Sequence, residues 1–277
     1  MFTTVFAPRN KRDLKAAVEA CLDMSPAGDC ANGLHGPIGE WDVSEVTDMS
    51  SLFRGAKAFN AFLPKWDVSA VTDMHSMFER ATTFNGNMPN WDVSTVESMD
   101  NMFRGAASFN GDISNWDMPS VSTTNSMFRD ATSFNSDISK WDLPKVANMV
   151  SMFNNATSFN SDISNWDVSR VTDMTRMFQS AKAFDRDVST WQVSRVRSMA
   201  YMFNDATSFA NSGVSRWDVS SVTDMTAMFF GAQSFNWLLS GDEWVTSKAI
   251  RHHMFTRSSG RIKYGQRTSF KFKFEVC

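Results

Sequence analysis

One nine-residue phrase recurs along this chain at a fixed interval. Trp66-Asp67-Val68-Ser69-Ala70-Val71-Thr72-Asp73-Met74 has close copies starting at Trp41, Trp91, Trp116, Trp141, Trp166, Trp191 and Trp217. The first seven starts lie 25 residues apart and the last 26. A period of this length marks a stack of repeats. One unit cannot bury its own apolar face, whereas neighbours stacked on it can. With 277 residues, 42% of them hydrophobic, the chain has ample material for a continuous core. The repeats span about 200 residues and are expected to form one body.

Each repeat reads in three parts. Ile113-x-x-Trp116-x-Met118 has the spacing of a leucine-rich-repeat strand. Alternation across a strand places Trp116 and Met118 inward and Asn115 and Asp117 outward. Copies of that strand are expected to stack in parallel about 4.8 Å apart. Next, Val46, Met49, Leu52, Phe53, Ala56 and Phe59 fall within an arc of about 140° at helical spacing, which predicts an amphipathic helix. Ser44 or Thr47 is its cap, and Asp48 sits in its first turn. That helix would return the chain over the back of the sheet. The third part carries an Asn at 60, 85, 110, 135, 160 and 236. In an inward-turning loop an Asn amide can accept from and donate to backbone groups of adjacent turns, so the column is expected to satisfy buried turn groups. Asp185 and Ala210 interrupt this column, which predicts less regular last turns. An extra residue near Asn211-Ser212-Gly213 predicts a local bulge. The 24 Phe and 19 Met belong to the repeat and read as core columns. Each Trp is core as well and needs a partner for its indole N–H.

The two ends depart from the period. In 1–33, Asn10 caps a helix whose Leu14, Ala17, Val18, Cys21 and Leu22 make one apolar stripe. A stack exposes its end and needs such a cap. Ser25–Asp29 is a turn cluster. Residues 34–240 hold about eight repeats. Residues 241–277 read as a basic C-terminal tail or cap. Within it, Trp244-Val245 is a degraded strand, and 261–267 with 269–276 reads as a pair of strands, the second alternating Phe270, Phe272, Phe274 and Val276 with polar residues.

The net charge is −3, but residues 241–277 hold 8 Lys/Arg against 3 Asp/Glu, or +5, leaving −8 elsewhere. An acidic body argues against a nucleic-acid groove, which needs a basic face. Three cysteines are too few for a disulfide framework. Cys21 and Cys30 are close enough to pair in an oxidising compartment, and two free thiols fit equally. No secretory signal is visible, nor any run of about 18 apolar residues to span a bilayer. The expectation is an intracellular protein or a chain without its true start, so the compartment stays open.

The unit Trp166-Asp167-Val168-Ser169-Arg170-Val171-Thr172-Asp173-Met174, followed by Met177-Phe178, Ala181 and Phe184, resembles the repeat of the BspA-like leucine-rich-repeat surface proteins and mycoplasma surface lipoproteins. The resemblance covers about residues 34–240. It implies a fold of the α/β class: a right-handed leucine-rich-repeat-like solenoid with short parallel strands on one face, short helices on the other and an N-terminal capping helix. It implies display on cell surfaces and use in adhesion or protein binding. It brings no catalytic residues and no cofactor.

The sharpest constellation is the carboxylate column Asp42, Asp67, Asp92, Asp117, Asp142, Asp167 and Asp218, interrupted by Gln192. Bare charges about 5 Å apart repel, and Ca²⁺ held by Asp92, Asp117, Asp142 and Asp167 would relieve that. The favoured reading is plainer: each Asp bonds its own turn, next to the Ser and Thr that follow. The copies lack the ligand spacing of calcium loops. His252-His253 reads as a solvated pair, and no zinc-protease motif, phosphate loop or catalytic triad can be placed. Positions just before Trp and just after Ser or Pro vary while their neighbours hold. Among them Lys140, Lys145, Asn165, Arg170, Arg195 and Arg216 are the candidate partner contacts. The expected function is a non-enzymatic scaffold that binds a macromolecule, most simply a protein, by its strand face. The alternative is a structural or adhesive surface module within a longer extracellular array.

Overall fold

The computed structural model describes residues 5–263. Helix α1, Lys11–Met24, forms as its apolar stripe predicts. The Asn10 side chain accepts the Asp13 N–H at 3.0 Å, satisfying one of the free donors of the first turn. Leu14, Ala17, Val18 and Cys21 are buried in the same core as the repeats. Lys11 reaches Asp48 of the first repeat at 3.0 Å. Cys21 and Cys30 are joined in a disulfide, with Cα atoms 5.4 Å apart. This fixes the helix to the loop that leads into the repeats.

The repeats lie side by side in sequence order. Parallel bridges join Asp48 to Asp73, then Ser98, Thr123, Asn148, Asp173, Ser198, Asp224 and Ile250. Through Asp224 these positions fall seven residues after each Trp. The strand expected around Trp116 does not form. Trp116 donates its N–H to Ile113 at 3.3 Å and Val121 to Met118 at 3.4 Å, so two turns use the donors that a ladder would need. Its alternation holds all the same: Trp116 and Met118 are buried, Asn115 and Asp117 exposed.

The helix expected over 46–59 is absent too, and the parallel strands and helices of the expected two-faced architecture are replaced by one mixed ladder. The N–H groups of Met49, Ser51, Phe53 and Gly55 donate to Asp73, His75, Met77 and Glu79 of the next repeat. Those of Leu52, Arg54 and Ala56 donate three residues back, to Met49, Ser51 and Phe53. Ser50 donates to the Asp48 carboxylate at 2.8 Å. Every donor from 49 to 56 is thus used without an α-helical bond. Spacing decides the outcome. Packed helices need 8–10 Å between axes, but the rings of Phe53, Phe78 and Phe103 follow one another at 5.3 and 5.5 Å. Hydrogen bonding between neighbours fits such a separation, and one helix per repeat does not.

The interleaved turns require positive φ at their third residue. Ser51 (59°) and Gly55 (75°) supply it in the first repeat, Ser76 (55°) and Arg80 (60°) in the next. The same two positions recur down the stack to His253 and Arg257.

Inside, three aromatic columns run the length of the molecule. The Phe53 column continues at 5.3–5.7 Å to Phe255. The Phe59 column runs beside it, and the two meet within a repeat at 3.9 Å between Phe103 and Phe109. The indoles of Trp116, Trp141 and Trp166 stack at 6.2 Å. Their N–H groups find the partners that burial requires: Trp116 donates to Met88 O, Trp141 to Ile113 O and Trp166 to Ile138 O.

The Asn column lies on the surface. From Asn60 to Asn160 each Asn Oδ1 accepts the backbone N–H of its counterpart one repeat on, as Asn85 does from Asn110 at 2.8 Å. Asp185 does not break it, because its carboxylate accepts from Ala210 at 2.8 Å. The added residue near 212 is absorbed by a 3-10 turn, Ser212–Arg216, with Asn211 accepting from Gly213.

Stacking continues past residue 240. Trp244 lies in a short helix α2, Asp242–Thr246, not in a strand, and its indole donates to Val214 O at 3.0 Å. Ile250 bridges Asp224, and Phe255 stacks on Phe229 at 5.6 Å. Strand β1, Leu238–Leu239, pairs in parallel with β2, Arg261–Ile262. The rest of the expected strand pair, including Phe270 to Val276, lies outside the described residues.

Candidate functional site

The surface that could meet a partner is set by the turns around each Trp. In one repeat Ile138, Trp141, Leu143 and Val146 point into the core, while Lys140, Asp142 and Lys145 are exposed. Trp141 donates to Ile138 O and Val146 to Leu143 O, so each lysine rides on a tight turn anchored by two buried side chains. Lys140, Lys145, Asn165, Arg170, Arg195 and Arg216 are all exposed. They form two columns flanking the aspartates, and none is within ion-pair distance of another described residue.

The aspartates mostly serve their own turns. Asp67 Oδ1 accepts the Ser69 hydroxyl at 2.7 Å and its N–H at 3.0 Å. Asp42 and Asp92 engage Ser44 and Ser94 in the same way, and Asp167 and Asp218 accept the backbone N–H of Ser169 and Ser220. The serine hydroxyl and then its backbone N–H hold the carboxyls of Asp67, Asp92, Asp167 and Asp218 below the usual range. Asp117 and Asp142 are followed two residues on by Pro119 and Pro144, which have neither N–H nor hydroxyl to offer. A second column, Asp112, Asp137, Asp162 and Asp187, sits two residues before a serine and is lowered first by the backbone N–H of that serine. Among the described residues no three His, Cys, Asp or Glu side chains converge as metal ligands would.

Two polar groupings escaped the sequence reading. Glu79 is buried between repeats, with Arg54 at 2.9 Å and Arg104 at 4.0 Å. Farther along the same column Asn154 donates to Gln179 at 2.9 Å and Gln179 to Asn204 at 3.3 Å. Aligning the repeats puts Arg54, Glu79, Arg104, Arg129, Asn154, Gln179 and Asn204 in one register, a polar column. Phe6 stacks on the His35 ring at 3.8 Å.

Stacked 25-residue units sharing one core define a repeat protein. The chain belongs to the family described as "Mycoplasma protein of unknown function, DUF285", which matches residues 22–141 and 122–244. Comparison with curated proteins finds no match. Among solved structures it is similar to the one titled "Crystal structure of TLR13-ssRNA13 complex", at 10% identity and a TM-score of 0.27, over 81% of this chain and 41% of that one. The chain thus spans less than half of that protein, and a likeness of that degree carries no inference. Among the described residues no helix is long and apolar enough to cross a membrane.

Proposed function

We propose that the chain is a non-enzymatic solenoid scaffold of the BspA-like kind, binding a macromolecular partner through the exposed face around the Trp segments. The partner in this reading is a protein. The observation that supports it is the separation of constant and variable positions. Trp, Val and Met of each unit are buried, whereas the positions that change from repeat to repeat, Lys140, Lys145, Asn165, Arg170, Arg195 and Arg216, stand in solvent on rigid turns. A rigid scaffold with variable exposed side chains loses little entropy on binding. No metal is assigned to Asp92, Asp117, Asp142 or Asp167 in this reading, because Asp92 and Asp167 are engaged by their own serines.

A second reading, a surface or adhesive module of a longer array, is favoured by the Cys21–Cys30 disulfide, which suits an oxidising compartment.

Site-specific photocross-linking tests the scaffold reading. A cross-linker at Lys145 or Arg170 should trap a protein partner, and one at Lys57, on another side of the repeat, should not. Equal trapping from both positions, or none from Lys145 and Arg170, contradicts it.

A further inference from the structure

We infer that the exposed patch centred on Arg195 and Arg197 receives a short acidic segment of the partner, two or three carboxylates on an extended stretch of chain. This rests on the protein-binding reading above. Repeat to repeat, the carboxylate after Trp is present from Asp42 to Asp218 except at Gln192. The bridge position, an Asp in only some repeats, is Ser198 here, between Asp173 and Asp224. Residues 188–204 therefore contain no Asp or Glu, and they carry Arg195 and Arg197, both exposed.

Elsewhere on the face several cations stand near one of the protein's own anions, beyond ion-pair distance. Arg170 lies near enough to lower Asp167, and Arg216 to lower Asp187. No described carboxylate pairs with Arg195 or Arg197. The base of the patch is rigid. The Arg197 N–H donates to Thr172 O and its carbonyl accepts from Thr223 N–H, both at 2.8 Å. Guanidinium groups recognise carboxylates through two parallel N–H···O bonds.

The size of the patch selects the ligand. Repeats follow one another at about the 5.6 Å that separates Phe178, Phe203 and Phe229. Arg195 and Arg197 lie two residues apart on one repeat, a separation that same-side residues of an extended chain, recurring every ~6.7 Å, can match. Asp167 and Asp218 close the patch on either side and would repel a long polyanion. A short acidic peptide fits between them.

The test uses the full chain and a labelled peptide of alternating Glu and Thr, followed by fluorescence anisotropy at low salt. Binding is expected. It should fall about tenfold or more in Arg195→Glu/Arg197→Glu, since charge reversal replaces attraction with repulsion. It should weaken several-fold in Gln192→Asp, which installs the residue most other repeats carry and so preserves the fold. Lys65→Glu, several repeats away, should leave it unchanged. The inference is overturned if the peptide does not bind, if Gln192→Asp and the double variant bind as well as the parent, or if heparin binds more tightly than the peptide. Cross-linking from Arg170 that persists while the peptide fails would remove the acidic segment alone. Loss of cross-linking from the whole face would remove the scaffold reading with it.

Discussion

The indole N–H of Trp166 donates to the carbonyl of Ile138, 28 residues earlier and in the preceding repeat, at 3.1 Å. Both groups are buried, and the carbonyl, which also accepts the Trp141 backbone N–H, is the indole's replacement for water. Trp166→Phe keeps most of the apolar area and removes this bond, while the Ile138 carbonyl keeps the Trp141 backbone N–H at 3.2 Å. A loss of about 0.5–1.5 kcal/mol is expected in urea unfolding. Trp166→Ala adds a cavity and should cost about 3–5 kcal/mol. A Phe variant as stable as the parent would show that the bond contributes nothing.

Gly55 has φ 75°, and a Cβ placed on it would meet nothing within 4 Å. Gly55→Ala therefore isolates the backbone term, expected at about 1–2 kcal/mol. Ser180 holds the same turn position at φ 58°. Ser180→Gly should shift the midpoint the other way, stabilising by up to about 1 kcal/mol once the greater freedom of unfolded glycine is subtracted. Opposite signs in the two variants are the expected result.

How much of this was legible follows from particular residues. Trp, Phe and Ala positions gave period, core and the α1 cap directly, because burial imposes residue type. The 46–59 segment misled, since Met49, Leu52, Phe53, Ala56 and Phe59 suit a helix or a run of turns equally. A signal was available: Gly55, Gly105 and Gly231 share a register with Asp130, Asn155 and Asp205, all residues that tolerate positive φ. The continuation beyond 240 was also written in the chain, for Met254-Phe255 follows Met228-Phe229 by the same 26 residues as Met228 follows Met202. The Cys21–Cys30 pairing is not legible in the chain, because separation alone fits bonded and free thiols. Nor is the place of Glu79, since a lone acid among arginines gives no sign of burial.

Glu79 has a side chain only 4% exposed, with Arg54 at 2.9 Å. Glu79→Ala should cost about 1–3 kcal/mol by removing that buried acceptor. Glu79→Gln retains shape and an acceptor and should cost less. Salt should lower the stability of the parent more than that of Glu79→Gln, which a urea series at two ionic strengths would read.

The turn aspartates set a pH dependence. Asp67, Asp92, Asp167 and Asp218 have carboxyls lowered from 3.8 in the folded chain, by the serine hydroxyl first and the serine N–H second. A group that is more acidic when folded stabilises the fold above its unfolded value, and that contribution disappears as pH falls through the folded one. The urea midpoint should be flat near pH 6 and fall from about pH 4 downward. Ser94→Ala with Ser169→Ala should make that fall shallower. Ca²⁺ should leave the midpoint of the parent unchanged, and a clear rise would restore the carboxylate ladder as a metal site.

The most direct measurement is the through-bond scalar coupling across the hydrogen bond made by the Phe103 amide. Its N–H lies 2.9 Å from the carbonyl of Met127, one repeat on. The NMR coupling is expected between the Phe103 nitrogen and the Met127 carbonyl carbon. A coupling to the carbonyl carbon of Met99, four residues back, would put a helix there and contradict the stacked ladder.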